Sequence, residues 1–169
     1  MSQGSLIEQR PRHTATDVTD EYMRGATPKM GKITRDEGYN EKIHKNEIDF
    51  ADWLHNCFGG EIKLIEEDHK HGGLSPDFIW NDKYWELKSP KAEKSANPLI
   101  RKGLRQIEDN PGGIFLDFGN NNVSLDMLLN VIEERMQWYK GIGLDIMIVQ
   151  KGQMIKVLRY KNRGALPQP

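Results

Sequence analysis

Apolar residues recur every three or four positions at Ile48, Ala51, Leu54 and Phe58, which predicts a helix over 44–58 stopped by Gly59-Gly60. The stretch 61–65 then alternates like a strand and runs into the polar loop EEDHKHGGLS. Two short strands follow, around 77–80 and 84–88. A second helix is expected over about 97–108, ended by Asn110-Pro111-Gly112-Gly113. IFLDF at 114–118 is an unbroken apolar run fit for a strand buried on both faces. Ser124 can cap a third helix whose Leu125, Leu128, Leu129, Ile132 and Met136 form one stripe. LDIMIVQ and MIKVLRY close the pattern as two strands turning at Lys151-Gly152. Helix, three strands, helix, strand, helix and two strands make a mixed sheet with helices packed on it, in the α/β or α+β class.

Before this pattern, residues 1–38 are polar, broken by Pro11, Gly25, Pro28, Gly31 and Gly38, and hold no sustained period. They are expected to be a flexible or wrapped extension to a single domain over 39–161, with 162–169 as a tail. The 169 residues, 37% hydrophobic, suffice for one core. No apolar run nears the roughly 20 residues of a membrane span. MSQGSLIEQRPRHTATD has no apolar segment of the secretory kind, so no secretory signal is expected there; separately, the expected place of action is a cytoplasm. One cysteine, Cys57, excludes an internal disulfide and a cysteine-based zinc site, and reads as a small hydrophobe on the first helix.

The net charge of −1 hides a division along the chain. From Lys83 to Arg105 there are seven Lys or Arg against two acids, whereas Gln106 to Trp138 holds six acids and one Arg. A basic stretch of this kind suits a phosphate-bearing substrate, and equally a solvated helix face.

That basic stretch begins inside SPDFIWNDKYWELKSP, residues 75–90. A two-residue turn at Asn81-Asp82 pairs Trp80 with Lys83, Ile79 with Tyr84, Phe78 with Trp85 and Asp77 with Glu86. Asp77, Glu86 and Lys88 then share one face, while Phe78, Trp85 and Leu87 share the other. Carboxylates opposed at roughly 4.5–5.5 Å between Cβ atoms repel unless a cation or a proton lies between them. Oxygen ligands alone suit Mg²⁺ or Mn²⁺. Lys88 is placed to orient a water or to neutralise phosphate charge. Glu47 offers a third carboxylate beside the helix stripe, and Arg101, Lys102 and Arg105 lie within reach of one face of the second helix.

Bland readings stand beside these. Asp77, Glu86 and Lys88 also fit an exposed hairpin, Glu47 a helix flank, and Arg101, Lys102 and Arg105 the balancing of Glu108 and Asp109. His69 and His71 form a transition-metal pair or merely solvated loop residues. His44 and His55 read as helix-surface groups, and Trp53, Trp80 and Trp85 as core.

The conjunction of Pro76-Asp77, an eight-residue gap, Glu86-x-Lys88, a preceding helix with an acid and a following basic helix resembles the PD-(D/E)xK nuclease superfamily. A closer likeness spans roughly residues 28–160. TPKMGKITRDEGYNEKIHKNEIDFADWLHNCFGGEI, SPDFIWNDKYWELKSP, the basic helix and GGIFLDFGNN look like the C-terminal tRNA-nuclease domain of contact-dependent growth inhibition toxins. Related domains occur in Gram-positive bacterial and mobile-element proteins.

The resemblance implies a restriction-endonuclease-like αβββαβ core with a further helix and a C-terminal β-hairpin. It implies a tRNA-cleaving toxin that uses a divalent metal, Mg²⁺ first and Mn²⁺ or Zn²⁺ as alternatives, and that is neutralised by an immunity protein. By position it marks Glu47, Asp77 and Glu86 as metal-binding acids and Lys88 as the motif lysine, with Lys102 or Arg105 sharing its task. Lys91, Arg101, Lys102 and Arg105 are the expected substrate-phosphate contacts. Delivery as part of a larger secreted effector goes with the likeness. Three other readings stay open: a DNA endonuclease of the same fold, a metal-independent RNase using His44 or His55 with Lys88, and a binding module without turnover.

Overall fold

The computed structural model describes residues 15–66, 75–141 and 143–161. Its strands are β1 (Thr16–Asp17), β2 (Ile33–Arg35), β3 (Ile62–Leu64), β4 (Phe78–Trp80), β5 (Lys83–Lys88), β6 (Pro111–Asp117), β7 (Leu144–Gln150) and β8 (Gln153–Tyr160). The helices are α1 (Thr19–Gly25), α2 (Lys45–Cys57), α3 (Ala96–Gln106) and α4 (Leu125–Met136). All the strands join one mixed sheet in the order β1-β8-β7-β6-β5-β4-β3-β2. Its centre, β5-β6-β7, is parallel, because α3 and α4 carry the chain back between successive strands. The mixed α/β class expected from the pattern is the class the chain adopts.

The sheet buries both faces, and β6 shows why IFLDF is unbroken. Phe115 packs on one side with Phe50, Ala51 and Leu54 of α2 and with Phe78 and Trp85. Ile114 and Leu116 pack on the other with Ile100 of α3 and with Leu128 and Ile132 of α4. Ser124 caps α4 by accepting from the Met127 amide at 3.4 Å. Both predicted hairpin turns form, with positive φ at Asn81 (48°) and Asp82 (69°), and at Lys151 (52°) and Gly152 (73°). This left-handed pair matches the twist of the flanking strands.

Three features depart from the pattern. Pro111-Gly112-Gly113 opens β6 instead of ending α3. A Cβ on Gly113 would lie 2.3 Å from the Asp145 carbonyl oxygen and 2.4 Å from the Trp85 ring, so glycine serves close approach here rather than a turn. Cys57 is an exposed thiol, since the buried stripe of α2 runs through Phe50, Ala51 and Leu54. The polar N-terminal stretch adds β1 to β8 and β2 to β3, extending both edges of the sheet.

Polar bonds fasten β1 and α1. Asp17 pairs with Lys156 at 2.8 Å, and the Val157 amide donates to the Thr19 hydroxyl at 3.0 Å. Arg159 binds Glu21 at 2.7 Å and Asp145 at 2.8 Å, and the Tyr22 hydroxyl donates to Asp145. The Lys156 and Thr19 hydrogen bonds hold the Asp17 carboxyl down to about 2, and the Arg159 bond lowers Glu21. A depressed carboxylate stabilises the fold above its unfolded value, and that contribution is lost as pH falls through the folded one. Between pH 4 and about 2, hydrogen exchange should therefore open the Val18 and Tyr22 amides before the Ile146 amide of the sheet centre. Simultaneous opening would remove the clasp as their anchor.

Candidate active site

Strand pairing carries Asp77 and Glu86 to the mouth of the β4-β5 hairpin. The observed register is Phe78 with Trp85, Ile79 with Tyr84 and Trp80 with Lys83. One pair further, the Asp77 amide donates to Glu86 Oε1 at 2.9 Å, and the Leu87 amide donates to Asp77 Oδ2 at 2.9 Å. The expected opposition of the two acids is present. Alternation sends Trp85 into the aromatic core on the α2 side, while Lys88 meets α3 on the opposite side.

Glu86 is 3% exposed and Lys88 8%. Lys88 Nζ donates to Glu86 Oε2 at 3.1 Å and to Gln106 Oε1 of α3 at 2.7 Å. Gly103 lets α3 come close above the lysine stem, for a Cβ there would stand 3.5 Å from Lys88 Cε and 3.1 Å from Ile114 Cδ1. Asp77 keeps part of its surface open to solvent. Burial, then repulsion from Glu86, pushes the Asp77 carboxyl well above the usual carboxylate range, although the Leu87 amide opposes this. Burial also raises Glu86, against the pull of Lys88. Two carboxyls in this state share a proton or admit a cation.

Glu47 sits in the first turn of α2, near enough that its charge adds to the repulsion on Asp77. Its carboxylate meets His44 Nδ1 at 3.2 Å, and His44 Nε2 meets Glu66 Oε1 at 2.8 Å. Burial disfavours a charged His44, but the bonds and charges of Glu66 and Glu47 outweigh it and raise the imidazole. His44 is thus clamped between two carboxylates, not a plain surface group. Tyr39 lies over its ring, with centroids 4.9 Å apart and planes 30° apart. His55 meets the Gly31 carbonyl at 3.1 Å. His69 and His71 lie outside the described residues.

Among the described residues, no three His, Cys, Asp or Glu side chains are gathered closely enough to hold a metal ion. Asp77 and Glu86 meet; Glu47 is beside them but turned to His44. The pair still fits Mg²⁺, which commonly takes one or two carboxylates and leaves its other positions to water and substrate phosphate. Zn²⁺ fits less well, since it prefers nitrogen and sulfur donors.

Arg101, Lys102 and Arg105 are exposed on α3 and make no ion pair among the described residues, so the balancing of Glu108 and Asp109 is not seen. The α3 side chain bonded to Lys88 is Gln106. Gln106 flanks the buried positions Ile100, Gly103 and Ile107, and this spacing was the available signal for it. Lys91 lines a cleft of about 430 Å³ with Ser89, Asn46, Trp53 and Asn120, beside the carboxyl end of β5. Ligands of open α/β sheets favour such ends. No helix among the described residues is long and apolar enough to cross a membrane.

No family model matches the chain, and no curated protein matches it. Among solved structures, a chain of the CdiA-CT/CdiI toxin and immunity complex from Burkholderia pseudomallei is similar at 14% identity and a TM-score of 0.48. The match covers 73% of this chain and 97% of that one.

Proposed function

We propose that this chain is a divalent-cation-dependent endonuclease, with RNA, and tRNA foremost, as its substrate. The observation that carries the reading is the opposition of Asp77 and Glu86 at the hairpin mouth, with Lys88 bonded to Glu86. Burying two carboxylates side by side is costly, and a bound cation removes that cost. Asp77 and Glu86 would hold the ion, whose chemistry is to polarise a phosphoryl oxygen and to make bound water nucleophilic. Lys88, steadied by Gln106, keeps its ammonium at the site, where it orients water or neutralises phosphate charge. Exposed Arg101, Lys102 and Arg105 are free to take phosphates along the substrate, as is Lys91 at its cleft.

The choice of tRNA rests on the sequence resemblance over roughly residues 28–160, and so does the proposal that a specific immunity protein blocks the activity. A metal-independent mechanism is less favoured, since His44 is held by Glu47 and Glu66, and His55 bonds the Gly31 carbonyl. Incubation with Mg²⁺ and, in parallel, total tRNA and plasmid tests the assignment. Cleaved tRNA beside intact plasmid is expected; cleaved plasmid beside intact tRNA assigns DNA instead, and turnover of neither leaves a binding module.

A further inference from the structure

One buried hydroxyl beside this site has no partner. Tyr39 Oη is enclosed and bonds to nothing, alone in this among the buried side-chain polar atoms of the described residues. A buried polar group without a partner is costly, and one kept in a fold calls for an explanation. The surroundings are acidic: the Tyr39 ring lies over that of His44, with centroids 4.9 Å apart, and His44 holds Glu47 at 3.2 Å and Glu66 at 2.8 Å.

The loop carrying Tyr39 is pinned. The Tyr39 amide donates to the Asp36 carbonyl at 3.1 Å, and the Asn40 amide to Glu66 Oε2 at 2.7 Å. The Glu66 amide in turn donates to Asp36 Oδ2 at 3.1 Å. The backbone on both sides of Tyr39 is therefore held, so a carboxylate that swings toward the phenol meets a hydroxyl already in place. Glu47 is the neighbour with freedom. Its side chain is 21% exposed, and its one hydrogen bond, to His44 at 3.2 Å, is long for a carboxylate.

We infer that Tyr39 is a positioning residue for Glu47, the acid that the sequence resemblance already marks as a third metal ligand. This rests on the cation reading above. With a divalent ion at Asp77 and Glu86, Glu47 turns from His44 to present one oxygen toward the ion, and its other oxygen accepts the Tyr39 hydroxyl. Carboxylates that bind metal are themselves held by such hydrogen bonds. The same movement accounts for two facts together: only two carboxylates are gathered, and an enclosed hydroxyl beside the third has no partner.

Calorimetric titration with Mn²⁺ tests this on the full chain, on Tyr39→Phe, on Glu47→Ala and on the double variant. Tyr39→Phe should weaken Mn²⁺ binding by about tenfold. Its unfolding temperature in EDTA should be unchanged or higher, because the deleted hydroxyl has no bond to lose. The double variant should bind no more weakly than Glu47→Ala alone, since the hydroxyl acts through that carboxylate. Wild-type affinity in Tyr39→Phe, additive losses in the double variant, or a lowered unfolding temperature in EDTA each overturn the inference. A wild-type chain that binds no Mn²⁺ overturns the cation reading itself; Mn²⁺ binding that Tyr39→Phe leaves untouched removes only the role of Tyr39.

Discussion

Asp77→Asn lowers phosphodiester cleavage by roughly 10²–10³-fold or more while leaving the chain folded. The asparagine oxygen still accepts from the Leu87 amide, as Asp77 Oδ2 does at 2.9 Å. Its amide nitrogen can donate to Glu86, which already accepts from the Asp77 backbone amide at 2.9 Å. What disappears is one of two like charges forced together, so the unfolding temperature in EDTA stays level or rises. Loss of an oxygen ligand with no loss of stability separates chemistry from folding. Glu86 is a poorer choice for this separation. Removing it strips Lys88, 8% exposed, of its counter-charge, and stranding one partner of a buried pair costs about 3–5 kcal/mol. Cleavage assays paired with thermal unfolding in EDTA check both statements, and full activity in Asp77→Asn removes the mechanism.

Phe115→Ala destabilises the fold by about 3–5 kcal/mol, the usual cost of deleting a fully buried phenylalanine. Phe115 is 0% exposed and stands at the centre of the aromatic layer beneath the hairpin. Trp85 stacks on it at 4.4 Å and 21°, Phe50 lies at 4.7 Å, and Trp80 and Phe78 at 5.9 and 6.0 Å. Those rings press the apolar face of β4 and β5 and so hold Asp77 and Glu86 on the other side. At this chain length the loss corresponds to a fall in unfolding temperature on the order of 10 °C. Guanidinium melts should show the midpoint drop at constant slope; an unchanged midpoint means that the aromatic layer does not support the site.

The hairpin was legible in the sequence because two local signals agreed. Alternation set which residues share a face, and Asn81-Asp82 accommodate the left-handed turn, so the opposition of Asp77 and Glu86 followed. The α2 and α4 stripes were equally plain. Elements held by polar bonds were not. The edge strands β1 and β2 have two and three residues and no apolar period. Ion pairs such as Asp17 with Lys156, 139 positions apart, fasten the N-terminal clasp, and periodicity carries no trace of them. Pro111-Gly112-Gly113 looked like a stop because Trp85 and Asp145, which require small residues there, are distant in sequence. The site divides the same way. Acids spaced along a motif were visible, whereas Gln106, His44 and Tyr39 take their places from tertiary contacts made by ordinary helix and loop residues.

The most direct measurement is digestion of total tRNA by the purified chain in Mg²⁺, with and without excess EDTA, with the product ends mapped. The account predicts cleavage in Mg²⁺, none in EDTA, and ends free of 2′,3′-cyclic phosphate, as water attack requires. Undiminished cleavage in EDTA with 2′,3′-cyclic phosphate ends would contradict it, for the RNA's own 2′-hydroxyl would then be the nucleophile, and Asp77 and Glu86 would hold no ion.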